Sequence, residues 1–366
     1  MNGSAIGKMV RSCREDYAIT PERLCELASV PLPRIHEIEK GAVPTIGELV
    51  ALASALGVDP AALRRGNPAS DPKRSAARFR SSFGGLALES ADVRLLAKGA
   101  EVGRICGFLG RLLAEPPSPV ATARSVVPIR SGSPPWQQGY DLGQKARIRL
   151  ASTRAAIPSI QGLLESLGVH VAMVPFKSTE IEAASLYEAD ASPVILLNSN
   201  SSRTADPLPR RAALAHELCH LLHDGGERDL MTAVSRPEDH VEYEQRANGF
   251  APSFIAPGAW VAPESKEPGA LVLQVGYVWG FSYEGAVWHT KNLKLITPEK
   301  AQALLDDRKP ILADGFELPA PRLLPNEGSD IEIGSLARGL LSDRVVRSLA
   351  DGLISRGRAR EILTLQ

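Results

Sequence analysis

The sequence predicts a multidomain protein. An all-α N-terminal domain comes first, then an α+β domain built from a small sheet and a helix carrying H-E-x-x-H, then a helical C-terminal region. Three observations lead there. A chain of 366 residues exceeds what one ordinary hydrophobic core organises. From about Gly7 to Leu63 the apolar residues recur at helical spacing between turn signals. Further on, two helical stretches, a set of short apolar or alternating runs and then "RRAALAHELCHLLHDGG", Arg210 to Gly226, follow one another, which is an α+β order.

Composition narrows the function classes. Forty-two basic residues balance forty-two acidic ones, so no global field drives the chain onto nucleic acid or a membrane, and any nucleic-acid affinity must be local. The four cysteines (Cys13, Cys25, Cys106, Cys219) form no C-x-x-C pair and no even framework, which suits a reducing compartment without disulfides. No apolar run approaches the roughly 18 residues of a membrane helix, and the N-terminus lacks a basic-then-apolar signal. A soluble, cytoplasmic protein with no membrane partner is expected.

In the N-terminal domain, residues 1–66, the helical segments are "GKMVRSCRED", "TPERLCELAS", "PLPRIHEIEKG" and "TIGELVALASALG". Thr20 before Pro21 and Glu22 is a helix start, with the threonine as N-cap and proline at the first helical position. Leu24, Leu27 and Ala28 share a face; after a turn at Ser29 and Val30, Ile35 and Ile38 point inward and Gly41 ends the next helix. Thr45 opens a further helix carrying Leu49, Leu52, Ala53 and Leu56.

This stretch, closed by Ile38, Glu39, Lys40 and Gly41, resembles the Cro/C1-type (XRE) helix-turn-helix family. The resemblance implies a recognition helix whose first turn enters the major groove. The matching positions read Pro31, Leu32, Pro33 and Arg34, followed by His36 and Glu37, so Arg34 and His36 are the DNA-binding candidates. A domain used for protein contact or dimerisation is the other reading of the same helices.

Residues 67–136 read as a helical and Pro/Ser-rich connector. Lys73, Arg74, Arg78 and Arg80 form a small basic cluster on a solvated stretch, Asp92 to Leu113 has a helical period, and "EPPSPVATARSVVPIRSGSPPW" is an extended connector, with a domain boundary near 115 to 136.

Residues 137–298 form the α+β domain. "GYDLGQKARIRLASTRAAIPSIQGLLESLG" gives a helix, a break before Pro158 and a second helix capped by Gly168. "VHVAMVPF" and "SPVILLNSN" read as strands, with "ASLYEA" as a third between them.

On a helix at about 100° per residue, His216, His220 and His223 fall within about 60° of arc, opposite Leu214, Leu218, Leu221 and Leu222. Imidazoles four residues apart are one turn apart and can share a tetrahedral zinc ion. Glu217 reaches a water activated by such an ion without ligating it, and serves as general base. Cys219 reads as a small buried hydrophobe, and His223 as an outer partner or a solvent-facing residue rather than a ligand. A third ligand is required. Ser235, Pro237 and Glu238 look like a capping-box helix start, and on the helix that follows Glu244 shares a face with Ala247 and Ala251, small enough for close approach to the histidine helix. Asp224, Asp239 and Glu242 are weaker candidates.

His216, Glu217 and His220, followed by Glu244, Ala247, Asn248, Phe250 and Ala251 and closed by Pro257, resemble the ImmA/IrrE family of zinc metallopeptidases. The likeness covers about Gly139 to Thr297. It implies a zincin-like metallopeptidase fold, Zn2+ held by His216, His220 and Glu244, and Glu217 as the catalytic residue. It also implies a protein substrate, an XRE-type transcriptional repressor cut at a specific site in stress or mobile-element regulation. Two imidazoles and a carboxylate also accept manganese or iron. Three departures from the family pattern stand out: Ala212 and Ala213 ahead of the motif, Pro252 inside the glutamate helix, where a kink beyond Asn248 is expected, and the additional His223. Tyr283 and His289 are candidates for stabilising an oxyanion. Residues 299–366 give two or three helices to which no chemistry is assigned.

The leading expectation is a zinc-dependent endopeptidase with an XRE-like domain. The alternative is a DNA-binding transcriptional regulator or antitoxin-like protein that uses the peptidase domain for sensing or interaction, with a homodimer left open. A third reading, compatible with the first, makes the helix-turn-helix a docking module for a like-folded repressor.

Overall fold

A computed structural model describes residues 3–16, 20–56, 60–65, 90–130, 132–151, 153–178, 181–224, 230–235, 242–307 and 336–364. Lys73, Arg74, Arg78, Arg80, Pro237, Glu238 and Asp239, which the sequence reading singled out, lie outside these residues.

The N-terminal domain is α1 (Gly3–Asp16), α2 (Pro21–Ala28), α3 (Leu32–Glu39), α4 (Ile46–Leu56) and α5 (Pro60–Arg65). Thr20 caps α2, its side chain accepting from the Arg23 amide at 3.2 Å. Ser29 takes the left-handed conformation that turns the chain into α3. Thr45 and Glu48 form a reciprocal capping box at the start of α4: the Glu48 amide donates to Thr45 Oγ1 at 3.2 Å, and the Thr45 amide donates to Glu48 Oε2 at 2.7 Å. Ile6, Val10, Leu24, Ile35, Ile38 and Leu52 fill the core that these helices enclose.

The remaining elements are α6 (Ser90–Leu112), α7 (Pro119–Ala123), α8 (Pro135–Leu150), α9 (Ile160–Ser166), β1 (His170–Val174), β2 (Ala183–Glu188) and β3 (Val194–Asn198). They continue with α10 (Ser202–Ala205), α11 (Pro207–His223), β4 (Leu230–Ser235), α12 (Glu242–Ile255), α13 (Pro268–Trp279), α14 (Tyr283–Asn292), α15 (Pro298–Asp306), α16 (Leu340–Ala350) and α17 (Arg356–Leu363).

Four strands form one sheet in the order β1-β3-β2-β4, with β1 parallel to β3 and β2 antiparallel to both its neighbours. Both faces are buried, which is why β1 and β3 read as continuous apolar runs. Val171, Met173, Ile195 and Leu197 point toward α9 and α11, whereas Ala172, Val174, Val194 and Leu196 point toward α6 and α16. α6 sits close on the β2–β3 hairpin: a Cβ at Gly107 would meet the Asp190 carbonyl at 2.5 Å, so only glycine permits the approach. Arg344 of α16 fixes the far side of α6, donating to the Cys106 carbonyl at 2.9 Å and to Ser192 Oγ at 2.7 Å.

Two local expectations need correction. Ser235 is not a helix N-cap: "LMTAVS" is the strand β4, paired antiparallel with β2 (Ala183 opposite Ser235), and the helix begins at Glu242. A short apolar run beside an open sheet edge gains ladder bonds that a capping box does not offer. The segment read as an extended connector contains α7, and beyond it forms a strap on the end of α11, with the amides of Ser125 and Val127 donating to the carbonyls of Leu222 and His223 at 2.8 and 3.0 Å. α12 continues through Pro252 to Ile255.

Candidate metal centre

α11 starts at Asp206, whose side chain accepts from the Leu208 amide at 2.9 Å, with Pro207 in the first helical position. Its leucines, Leu214, Leu218, Leu221 and Leu222, enter the core against the sheet. Arg211 anchors the same helix by donating to the carbonyls of Ile157 and Pro158 at 2.7 and 3.0 Å. His216, Glu217 and His220 are buried on the other side of α11.

α12 brings a carboxylate to the two imidazoles. Ala247 and Ala251 are buried between the two helices, as small residues allow, and Glu244 projects from the same face. α12 is itself clamped by α8 through glycines. A Cβ at Gly139 would sit 2.0 Å from the Arg246 carbonyl oxygen, one at Gly143 2.4 Å from that of Phe250, and one at Gly249 2.0 Å from that of Trp136.

The donor atoms converge. His216 Nε2 and His220 Nε2 are 3.0 Å apart. Glu244 Oε2 is 3.0 Å from His216 Nε2, and Oε1 is 3.2 Å from His220 Nε2. The edge of a tetrahedron with ligands about 2.05 Å from its centre is about 3.3 Å, so the triangle has the size a zinc site needs. The tautomers fit as well. His216 Nδ1 donates to Asn248 Oδ1 at 3.1 Å, and His220 Nδ1 donates to Asp224 Oδ2, which leaves both Nε2 lone pairs turned toward the shared point. Burial alone would raise the Glu244 carboxyl; when His220 and His216 are protonated instead, they override it and hold the group well below the usual carboxylate range. Glu217 is fully buried next to His216, and its carboxylate lies within 4.8 Å of both histidine ligand atoms.

Asp224 is not a metal ligand. It caps α11, lies on the far side of the His220 ring and bonds Arg246 with its other oxygen. Its backbone is fixed in turn by Arg124, which donates to the carbonyls of Leu221 and Asp224 at 2.5 and 2.6 Å. Glu242, at the exposed start of α12, makes no approach to the histidines among the described residues. His223 turns away from the centre: its Nδ1 donates to the Ser125 carbonyl at 3.1 Å, and burial pushes it down to about 4, so it is neutral. Cys219 is fully buried, and burial pushes its thiol up.

A cleft of about 660 Å³ opens onto His216 and Glu217. Its lining includes Trp136, Tyr140, Phe281, Trp288 and His289, together with Lys291, Lys294, Arg203 and Glu182. Burial raises the Glu182 carboxyl, against which Arg203 Nε lies at 3.1 Å. His289 is held on both sides. Its Nε2 must donate to the Ala256 carbonyl at 2.9 Å, so its Nδ1 accepts from the Tyr140 hydroxyl at 3.0 Å. Tyr283 lies outside the cleft lining and donates to the Leu304 carbonyl at 3.0 Å. Neither candidate for oxyanion stabilisation presents a free donor here: His289 spends its N–H on the Ala256 carbonyl and Tyr283 its hydroxyl on the Leu304 carbonyl.

In the N-terminal domain His36 is exposed on α3. Arg34 is engaged: its guanidinium bonds Glu48 at 2.8 and 3.2 Å, Glu37 at 2.9 Å and the Val43 carbonyl at 2.9 Å.

Comparison with known families places both parts. Residues 164–283 match the family model for the IrrE N-terminal-like domain, a peptidase family, and residues 10–63 match the Helix-turn-helix model. These are the positions at which the sequence motifs suggested the two families. No curated protein and no solved structure matches the chain. Among the described residues no helix is long and apolar enough to cross a membrane.

Proposed function

With an IrrE N-terminal-like domain and a helix-turn-helix in one chain as the premise, we propose that this protein is a zinc-dependent endopeptidase that cuts an XRE-type repressor at a specific site. One observation carries the reading: two imidazoles and a carboxylate from two different helices converge at tetrahedral spacing beside a buried glutamate and an open cleft. His216, His220 and Glu244 would hold the ion. Zinc bound there supplies Lewis acidity that polarises a peptide carbonyl and lowers the pKa of water toward ~7.

The chain's own residues do the rest. Glu217, one residue past His216, takes the proton from the attacking water and passes it to the departing amine, which lets a single carboxylate serve both half-steps. Asn248 and Asp224 keep the imidazoles in the ligating tautomer. Trp136, Phe281 and Trp288 give the cleft beside the centre apolar walls against which a peptide can lie.

Glu217→Gln tests the reading. Wild type and variant are each incubated with a proteome-derived peptide library, and new N-termini are read by mass spectrometry. Both proteins should carry about one zinc, and only wild type should produce new termini. New termini from Glu217→Gln at the wild-type rate would sink the mechanism.

The second reading, transcriptional regulation through DNA, is favoured by the helix-turn-helix match. In it α3 faces the groove, with His36 exposed and Arg34 able to reach a base only after leaving Glu48 and Glu37. Electrophoretic mobility shifts with His36→Ala and Arg34→Ala test it, since equal binding by both variants and wild type would remove these residues from any DNA interface.

A further inference from the structure

The cleft has a feature that peptide hydrolysis as such does not require. Trp136 and Trp288, 40% and 39% exposed, both line it. Large aromatic surface left open beside a buried carboxylate marks a binding surface rather than a packing surface. The rings form a connected series: Trp136 packs edge-on to Tyr140 at 5.9 Å between centroids, Tyr140 stacks on His289 at 5.7 Å, and Phe281 lies against His289 at 5.1 Å. The hydrogen bonds of Tyr140 and His289 fix the middle of this series, so the wall is pre-organised. Part of the other lining is small: the partly exposed Ala212 and Ala213 leave room for a bulky guest.

The rim is basic. Lys291 Nζ lies over the Trp288 ring at 4.5 Å, and Lys294 stands beside it on the cleft. Neither lysine has a carboxylate within ion-pair distance among the described residues. Arg203, by contrast, is already matched by Glu182. An aromatic wall with two uncompensated lysines complements an aromatic or large apolar side chain with carboxylates beside it.

We propose that this cleft is a specificity subsite for an extended peptide segment in which a large apolar residue, best an aromatic one, is flanked by Asp or Glu. The proposal rests on the peptidase reading and names the substrate class of that same site. Trp136 and Trp288 take the side chain, and Lys291 and Lys294 take the flanking carboxylates. These four are specificity residues, distinct from the zinc ligands.

The test uses the full-length, zinc-loaded Glu217→Gln protein, which cannot turn substrate over, and fluorescein-labelled peptides followed by fluorescence anisotropy. Ala-Glu-Phe-Glu-Ala should bind about tenfold more tightly than Ala-Glu-Ala-Glu-Ala, and about fivefold more tightly than Ala-Lys-Phe-Lys-Ala. Adding Lys291→Glu and Lys294→Glu should invert the charge preference and keep the aromatic one. Trp288→Ala should reduce the aromatic preference while leaving zinc content and circular dichroism unchanged. Absence of binding, equal binding of the three peptides, or a charge preference unchanged by the two lysine substitutions would each overturn the subsite. The reading beneath it is separable: wild type that cuts the peptide library without aromatic or acidic bias overturns the subsite alone, whereas a zinc-free, inactive wild type overturns the peptidase assignment.

Discussion

Gly139→Ala is the most informative single change outside the ligands. The methyl group would sit 2.0 Å from the Arg246 carbonyl oxygen and 2.7 Å from the Phe250 nitrogen, both backbone atoms that no rotamer change can move. Ordinary contact is restored only if α12 withdraws by about 1 Å or more. Arg246 stands two residues from Glu244 on one side and two from Asn248 on the other, so the withdrawal carries one metal ligand and one ligand-orienting group with it. Ligand distances in a zinc site tolerate about 0.2 Å. Zinc affinity should therefore fall at least about tenfold, or ~1.4 kcal/mol. Forced overpacking of backbone on backbone should add about 1–3 kcal/mol of lost stability. Competition with a chromogenic chelator reads the first quantity and urea unfolding of the metal-free protein the second. Gly47→Ala is the control, because a Cβ there meets nothing within 4 Å; removing helix glycine entropy should stabilise the protein by about 0.5–1 kcal/mol. If Gly139→Ala binds zinc within twofold of wild type and unfolds at the same urea concentration, the interlock of α8 and α12 does not position Glu244.

Two further predictions concern Asp224 and three buried histidines. Asp224→Asn keeps the shape but lets the amide present either a donor or an acceptor to His220 and removes the charge opposite Arg246; zinc affinity should fall about 10–100-fold, measured with the same chelator, and unchanged affinity would reduce Asp224 to a helix cap. His170, His223 and His289 are each pushed by burial from 6.5 down to about 4. Above pH 6.5 they are neutral folded or unfolded and contribute no pH dependence; between 6.5 and 4 the unfolded chain takes up the protons first, so stability falls as pH falls, by up to about 3 kcal/mol per histidine. Urea unfolding of metal-free protein between pH 7.5 and 4.5 should show a shallower acid slope for His289→Gln than for wild type, and identical slopes would contradict the assignment.

The parts legible in sequence were those whose chemistry is local. His216, Glu217 and His220 sit on one helix at one-turn spacing, so both the period and the leucine face opposite are written in adjacent residues. Glu244 could be placed because Ala247 and Ala251 advertise the close face of its own helix. Asp224 lies four residues after His220, one helical turn on, and that spacing is itself a sequence signal for a partner of the ring's outer nitrogen rather than for a ligand. Gly139, Gly143 and Gly249 read as ordinary helix positions, because their meaning depends on which backbone lies opposite. The strand Leu230–Ser235 was hidden between two helical stretches, and only its pairing with Ala183–Glu188 makes it a strand. Arg34 looked available to DNA because Glu48, fourteen residues on, had no sequence-level reason to face it.

The most direct measurement is elemental analysis of the purified chain beside His216→Ala, His220→Ala and Glu244→Ala. The account predicts about one zinc per wild-type chain, lost or held at least about tenfold more weakly in each variant, with circular dichroism unchanged. Wild type that stays metal-free after zinc is supplied, or a Glu244→Ala protein that retains its zinc at wild-type affinity, would contradict the three-ligand centre on which the proposed activity depends.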